Sequence, residues 1–147
     1  MYSQKQIIAS ARHLANKYNT YNPFDIADWL HIQLIRRPLG NVWGFYMYAH
    51  RNKQIYLNDD IEDTQQRFAC SHELGHAVLH PKENCPFMKA DTLFSVDRLE
   101  IEANIFAACL MFPVADGELY TPEQVAITLK VTESPAIYEA ACGKAIF

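Results

Sequence analysis

His72 and His76 stand four residues apart in the stretch Phe68-Ala69-Cys70-Ser71-His72-Glu73-Leu74-Gly75-His76-Ala77-Val78-Leu79-His80, with Glu73 beside the first of them. On a helix, residues at that spacing lie one above the other on one face, so two imidazoles can share a single ion. Zn–N bonds of about 2.0–2.1 Å require that proximity. Glu73 leans towards the same face without needing to ligate, and can hold a water beside the ion and take its proton. The bland alternative is an amphipathic helix whose histidines are merely exposed.

Two histidines do not complete a catalytic metal site; a third protein ligand is needed. His80 is one turn further on, but lies about 12 Å up the axis from His72 at 1.5 Å per residue, out of reach on a continuous helix. An extended His-x-x-Gly-x-x-His form would need Gly at 79 and His at 82, where this chain has Leu79 and Lys82. His80 reads instead as a helix-end residue facing the C-terminal dipole. The better source is the segment Arg98 to Met111, in which Glu100, Ala103, Asn104 and Ala107 share one stripe and the alanines permit close helix–helix approach. Glu102 is rotated about 200° from Glu100, so only one of the two can ligate. Glu100 is preferred because Asn104, on the same face, could accept the free ring N–H of a ligating histidine and fix its tautomer. Glu102 is then a solvated surface carboxylate.

These residues need elements to position them. A helix is predicted over about 4–18 with Ser3 as N-cap, and a second from Asn22-Pro23 to about Leu30, burying Ile26, Trp29 and Leu30. Strand-like runs follow at 32–35, 42–49 and 54–57, the last two joined by a turn at His50-Arg51-Asn52-Lys53. Further helices are predicted over about 64–80, 96–111, 121–130 and 134–142, with Gly143 closing the last. The fold class is α+β: a small antiparallel sheet packed against helices, in a single domain spanning residues 1–147. The segment from Pro81 to Phe94 has no clear periodicity and reads as a connection bordering the cleft.

Composition narrows the function. Of 147 residues, 50% are apolar and 20% charged, with a formal net charge of −4. That is enough apolar residue for a core, with no basic surplus for phosphate contacts, so direct nucleic-acid binding is not expected. The only basic residues near a helix-turn-helix reading of 121–142 are Lys130 and Lys144. No apolar run approaches the roughly 20 residues of a membrane span and no export signal is visible, so a cytoplasmic protein without membrane contact is expected. Cys70, Cys85, Cys109 and Cys142 are widely spaced and read as small buried hydrophobes.

His72-Glu73-Leu74-Gly75-His76, followed by Glu100-Ile101-Glu102-Ala103-Asn104-Ile105-Phe106-Ala107 and Leu110-Met111-Phe112-Pro113, resembles the ImmA/IrrE family of zinc metallopeptidases. Asn22-Pro23, Gly44-Phe45-Tyr46 and Ile55-Tyr56-Leu57-Asn58 fit the same family, and 124–132 does so more loosely. Met111-Phe112-Pro113 departs from the more usual Leu-Met-Pro without touching the metal residues. The resemblance implies a gluzincin-like core with Zn2+ held by His72, His76 and Glu100, Glu73 as the catalytic base, and a protein substrate such as a helix-turn-helix repressor of a mobile element or stress response. The competing class is a binding partner, antirepressor-like or antitoxin-like, in which a metal merely staples two helices; an intact Glu73 argues against it. Tyr46, Tyr56, Tyr120 and His80 are all conceivable oxyanion donors, and nothing in the sequence chooses among them. An exposed edge of the 42–57 hairpin could pair with an extended substrate, or be an ordinary edge blunted by His50, Arg51 and Lys53.

Overall fold

A computed structural model describes residues 2–112 and 122–129. Helix α1 (Gln4–Tyr18) starts where its cap predicts: the Gln6 N–H donates to Ser3 Oγ at 3.2 Å and the Ser3 N–H donates to Gln6 Oε1 at 2.9 Å. In α2 (Pro23–Trp29) the Phe24 N–H donates to Asn22 Oδ1 at 2.9 Å, and proline opens the first turn. Ile26 and Ala27 are buried, but Trp29 is 60% exposed, contrary to expectation. It lies about 200° round the helix from Ala27, outside the face that meets the core, and stacks flat on Tyr18 with ring centroids 5.5 Å apart. Leu30 is only partly buried.

The fold is α+β, with a four-stranded sheet in the order β1-β3-β2-β4 (β1 Gln33–Arg37, β2 Val42–Ala49, β3 Asn52–Asn58, β4 Met88–Lys89). The β2–β3 hairpin is antiparallel and turns through His50 and Arg51, both at positive φ. The sheet is mixed where a purely antiparallel one was expected, because β1 skips β2 and pairs parallel to β3. The link 38–41 therefore has to cross the end of β3. Buried Asn58 makes this possible: its Nδ2 donates to Gly40 O at 3.0 Å and Val42 O at 2.9 Å, while the Asp59 N–H donates to Arg37 O. Gly40 takes φ 63° in that link. On its other side β2 meets β4 only at Val42 and Gly44. Among the described residues no strand pairs with the rest of that edge.

Helix α3 (Asp63–Leu79) is buried along most of its length, with β2 and β3 on one side and α4 (Arg98–Met111) on the other. Such a helix is not amphipathic, and its buried positions include His72, Glu73 and His76. Asp97 caps α4, its Oδ1 accepting from the Leu99 and Glu100 N–H groups at 3.0 and 3.4 Å. The segment Pro81 to Phe94, expected as a connection, carries β4 and a 3₁₀ turn at Ala90–Phe94. A short α5 (Pro122–Thr128) is tied to α3 by Gln65 Nε2, which donates to Leu129 O at 2.8 Å. The helix expected at 134–142, Tyr120 and Cys142 lie outside the described residues. Among the described residues no helix is long and apolar enough to cross a membrane.

Candidate metal centre

The i, i+4 spacing on α3 brings the imidazoles of His72 and His76 edge to face, with their Nε2 atoms 3.1 Å apart. Glu100, in the first turn of α4, reaches both: its Oε2 is 3.3 Å from His72 Nε2 and its Oε1 2.9 Å from His76 Nε2. Apart from these rings neither Glu100 oxygen has a partner, although the residue is only 3% exposed. Two nitrogens and one carboxylate, converging in a dry site, form a donor set suited to a divalent ion of the zinc type.

The titration behaviour points the same way. Burial alone would raise the Glu100 carboxyl, but hydrogen bonds and charge from His72 and His76 hold it down at about 2. Burial also lowers both imidazoles. For His72 this is outweighed by the Glu100 hydrogen bond and the charges of Glu73 and Glu100, so its pKa rises. For His76 burial prevails over the Glu100 hydrogen bond, aided by the nearby His72 and His80, and brings it to about 4. Burial and the neighbouring imidazole both oppose a proton on His76 while Glu100 favours one.

Behind His72, Nδ1 lies 2.8 Å from Asn104 Oδ1, and Asn104 Nδ2 donates to Thr92 O at 3.1 Å. An amide oriented in this way makes Nδ1 the donor of a neutral His72 ring, whose Nε2 is then the nitrogen open to a metal. Asn104 thus occupies the position expected of it, and Thr92 on the 3₁₀ turn is a support that sequence alone did not reveal.

Glu73 is fully buried beside His72, and neither carboxylate oxygen has a hydrogen-bond partner. Burial pushes its carboxyl up to about 8 against the pull of His72; Glu100 adds to the rise, and the Tyr46 backbone N–H, nearby but outside hydrogen-bond geometry, opposes it. Gly44 of β2 faces this side chain: a Cβ there would be in ordinary contact with Glu73 Cγ at 3.7 Å, but would stand only 2.7 Å from Tyr56 O.

Three placements differ from expectation. Glu102, read as a solvated carboxylate, is 4% exposed; its Oε1 lies 2.7 Å from His80 Nε2, and its Oε2 accepts the Tyr2 N–H at 3.1 Å. Its face of α4 is covered by the packed α1. His80 does end α3, but its ring folds back so that Nδ1 is 3.0 Å from His76 Nδ1. Cys85, read as a small hydrophobe, has Sγ 3.2 Å from the same His76 nitrogen. Each of these contacts depends on the packing of α1 or of the segment after His80. The one signal available in sequence was that His80 is itself i+4 from His76.

Residues 27–133 match the family model of the IrrE N-terminal-like domain, a peptidase family. The chain belongs to that family. It is 48% identical over 108 residues to the uncharacterized immunity region protein 2 of Bacillus phage phi105, covering 73% of this chain and 68% of that one. It is 27% identical over 113 residues to the metallopeptidase ImmA of Bacillus subtilis strain 168, covering 76% of this chain and 66% of that one. The chain thus spans about two thirds of the length of each relative. Family membership accords with the α+β fold and with the resemblance carried by the two segments at 72–76 and 100–107.

Proposed function

We propose that this chain is a zinc-dependent endopeptidase in which His72, His76 and Glu100 hold the metal and Glu73 handles the proton of the attacking water. The observation that carries this reading is Glu73: a fully buried carboxylate with no hydrogen-bond partner, next to a three-donor group. Leaving such a group unpaired costs on the order of 1–3 kcal/mol or more. A site that only stapled two helices would gain nothing from it, which disfavours the antirepressor-like or antitoxin-like alternative.

A zinc ion bound there would supply a Lewis acid that acidifies a water and polarises the scissile carbonyl. Glu73 takes the proton from that water and later returns it to the leaving amine. A cation among the three donors favours the carboxylate form of Glu73, offsetting the burial that raises its pKa. Of the conceivable oxyanion donors, the Tyr46 hydroxyl donates to Pro81 O at 2.6 Å and His80 faces Glu102, while the Tyr56 ring stacks on Phe45. The proposal therefore assigns no residue to that role.

The substrate is a protein, bound as an extended segment along the outer edge of β2 beyond Gly44, where main-chain hydrogen bonds are available. Exposed Met47, Tyr48 and Phe87 flank this edge. Similarity to a metallopeptidase supports a protein substrate; on this reading that substrate is a helix-turn-helix repressor, cleaved in the cytoplasm without direct contact of this chain with nucleic acid or membrane. The deciding experiment mixes the full chain with a repressor from the same immunity region and follows intact mass, with and without a chelator. Cleavage that stops with chelator and returns with zinc is expected, and Glu73→Gln should bind zinc without cleaving. Cleavage by Glu73→Gln, or metal-independent cleavage, overturns the mechanism.

A further inference from the structure

We propose that Glu102 and His80 form a positioning pair that fixes the tautomer and ring orientation of His76. This rests on the metal-site reading above but concerns residues outside the donor triad. The chain of contacts runs Tyr2 N–H to Glu102 Oε2 (3.1 Å), Glu102 Oε1 to His80 Nε2 (2.7 Å), and His80 Nδ1 to His76 Nδ1 (3.0 Å). Glu102 and His80 are 4% and 5% exposed, so little of either side chain is open to solvent.

The donors can be assigned from one end. A carboxylate only accepts, so the His80 proton sits on Nε2 and points at Glu102. Neutral His80 then offers Nδ1 as an acceptor, and the proton in the Nδ1–Nδ1 contact belongs to His76. With Nδ1 protonated, neutral His76 has one lone pair left, on Nε2, which faces His72 Nε2 and Glu100 Oε1. Reversing any proton in the chain would put an N–H on His76 Nε2 and spoil it as a ligand. Cys85 Sγ, 3.2 Å from His76 Nδ1, is a weak second acceptor and leaves this assignment unchanged. The arrangement parallels Asn104 behind His72, so each ligating ring has an acceptor at its back.

The test measures zinc affinity by competition with a chromophoric chelator, together with histidine nitrogen NMR of the zinc-loaded full chain. Glu102→Gln preserves shape, but its amide cannot accept N–H groups at both ends. His80→Phe removes the acceptor from His76. Each is expected to weaken zinc binding by about 10–100-fold, and Cys85→Ala to change it less than threefold. In the unaltered chain the proton should appear on His76 Nδ1 and on His80 Nε2, a readout that requires no variant to fold. Unchanged affinity in both Glu102→Gln and His80→Phe, or a proton on His80 Nδ1, overturns the positioning role while leaving the metal site intact. A loss in Cys85→Ala equal to that in His80→Phe would also overturn it. So would a second equivalent of bound zinc that Cys85→Ala abolishes, by making His76, His80 and Cys85 a separate ion site. Failure of the unaltered chain to bind zinc overturns both this inference and the reading it rests on.

Discussion

Gly75 of α3 lies so close to Ala103 of α4 that a methyl group placed on it would stand 3.2 Å from the Ala103 Cα and 3.1 Å from Phe106 Cβ. The glycine sits between the two histidines of one donor pair, and Ala103 one turn after the third donor, so this contact sets the gap that Glu100 crosses. Gly75→Ala is expected to push the helices apart by a few tenths of an ångström. Overpacking of this kind costs roughly 1–3 kcal/mol. The zinc affinity of the folded protein should fall more than tenfold, because all three donors must stay within bonding reach of one ion. Urea unfolding and chelator competition on the same sample separate the two effects. A variant that loses stability but keeps full affinity would show that α3 and α4 tolerate the shift.

Glu73 makes the metal-free chain sensitive to pH in a specific direction. Its carboxyl is raised from 4.5 to about 8 in the folded state, chiefly by burial. Between those values the folded chain holds a proton that the unfolded chain has lost, so this group's contribution is fully present below about pH 4.5 and is lost as pH rises through about 8. The slope is on the order of 1 kcal/mol per pH unit in that window. His72, also raised, adds to the fall above its ordinary value. His76, lowered to about 4, acts oppositely: its contribution is present above pH 6.5 and lost as pH falls through about 4. Glu73→Gln should therefore gain stability over the unaltered metal-free chain on going from pH 6 to pH 9, measured by urea unfolding in chelator. Parallel pH curves for the two proteins would contradict the assignment.

Asn104 is buried, and both ends of its amide are engaged, with His72 Nδ1 and with Thr92 O. Asn104→Leu leaves a ring N–H and a carbonyl unpaired in a dry interior, each costing about 1–3 kcal/mol. It also frees His72 to adopt the wrong tautomer. Zinc affinity should drop by about 10–100-fold, while Asn104→Gln should retain part of it by offering the same amide on a longer arm. Titration of the folded variants against a chelator reads this directly.

How much of this was legible in the sequence varies with the range of the interaction. The helix containing His72 and His76 could be read because i, i+4 spacing is a local property of the chain. Glu100 could be preferred over Glu102 for a similar reason, since its stripe also carried Asn104 and two alanines. Caps were equally local, and Ser3 and Asn22 act as expected. What could not be read depends on contacts between distant segments. Glu102 looked solvated because nothing on its own helix shows that α1 covers it and that Tyr2, 100 residues away, donates to it. Thr92 and Cys85 lie in a stretch without periodicity, and meet Asn104 and His76 only through the tertiary packing of that stretch, in which β4 pairs with β2. Trp29 reads as buried beside Ile26 and Leu30, although the seven-residue α2 offers only one face to the core.

Asn58 is the other case of a distant effect, and it supports the substrate edge more than the metal. The side chain is fully buried; its Nδ2 donates to two carbonyls of the 38–42 crossover, and its Oδ1 accepts the Asp60 N–H at 2.8 Å. Without these bonds the link that carries β1 past the end of β3 loses its anchor, and the start of β2 is free to shift. Asn58→Ala leaves two carbonyls and one N–H to find other partners, a loss of about 2–4 kcal/mol if water reaches only part of them. The proposed metal donors sit on α3 and α4, so the zinc affinity of the folded variant should stay within about threefold of the parent. Because β2 carries the proposed peptide-binding edge, KM for a cleavable substrate should rise while kcat changes little. Steady-state kinetics at a temperature where the variant is folded tests this, and a fall in kcat at constant KM would place the crossover in the service of the chemical step instead.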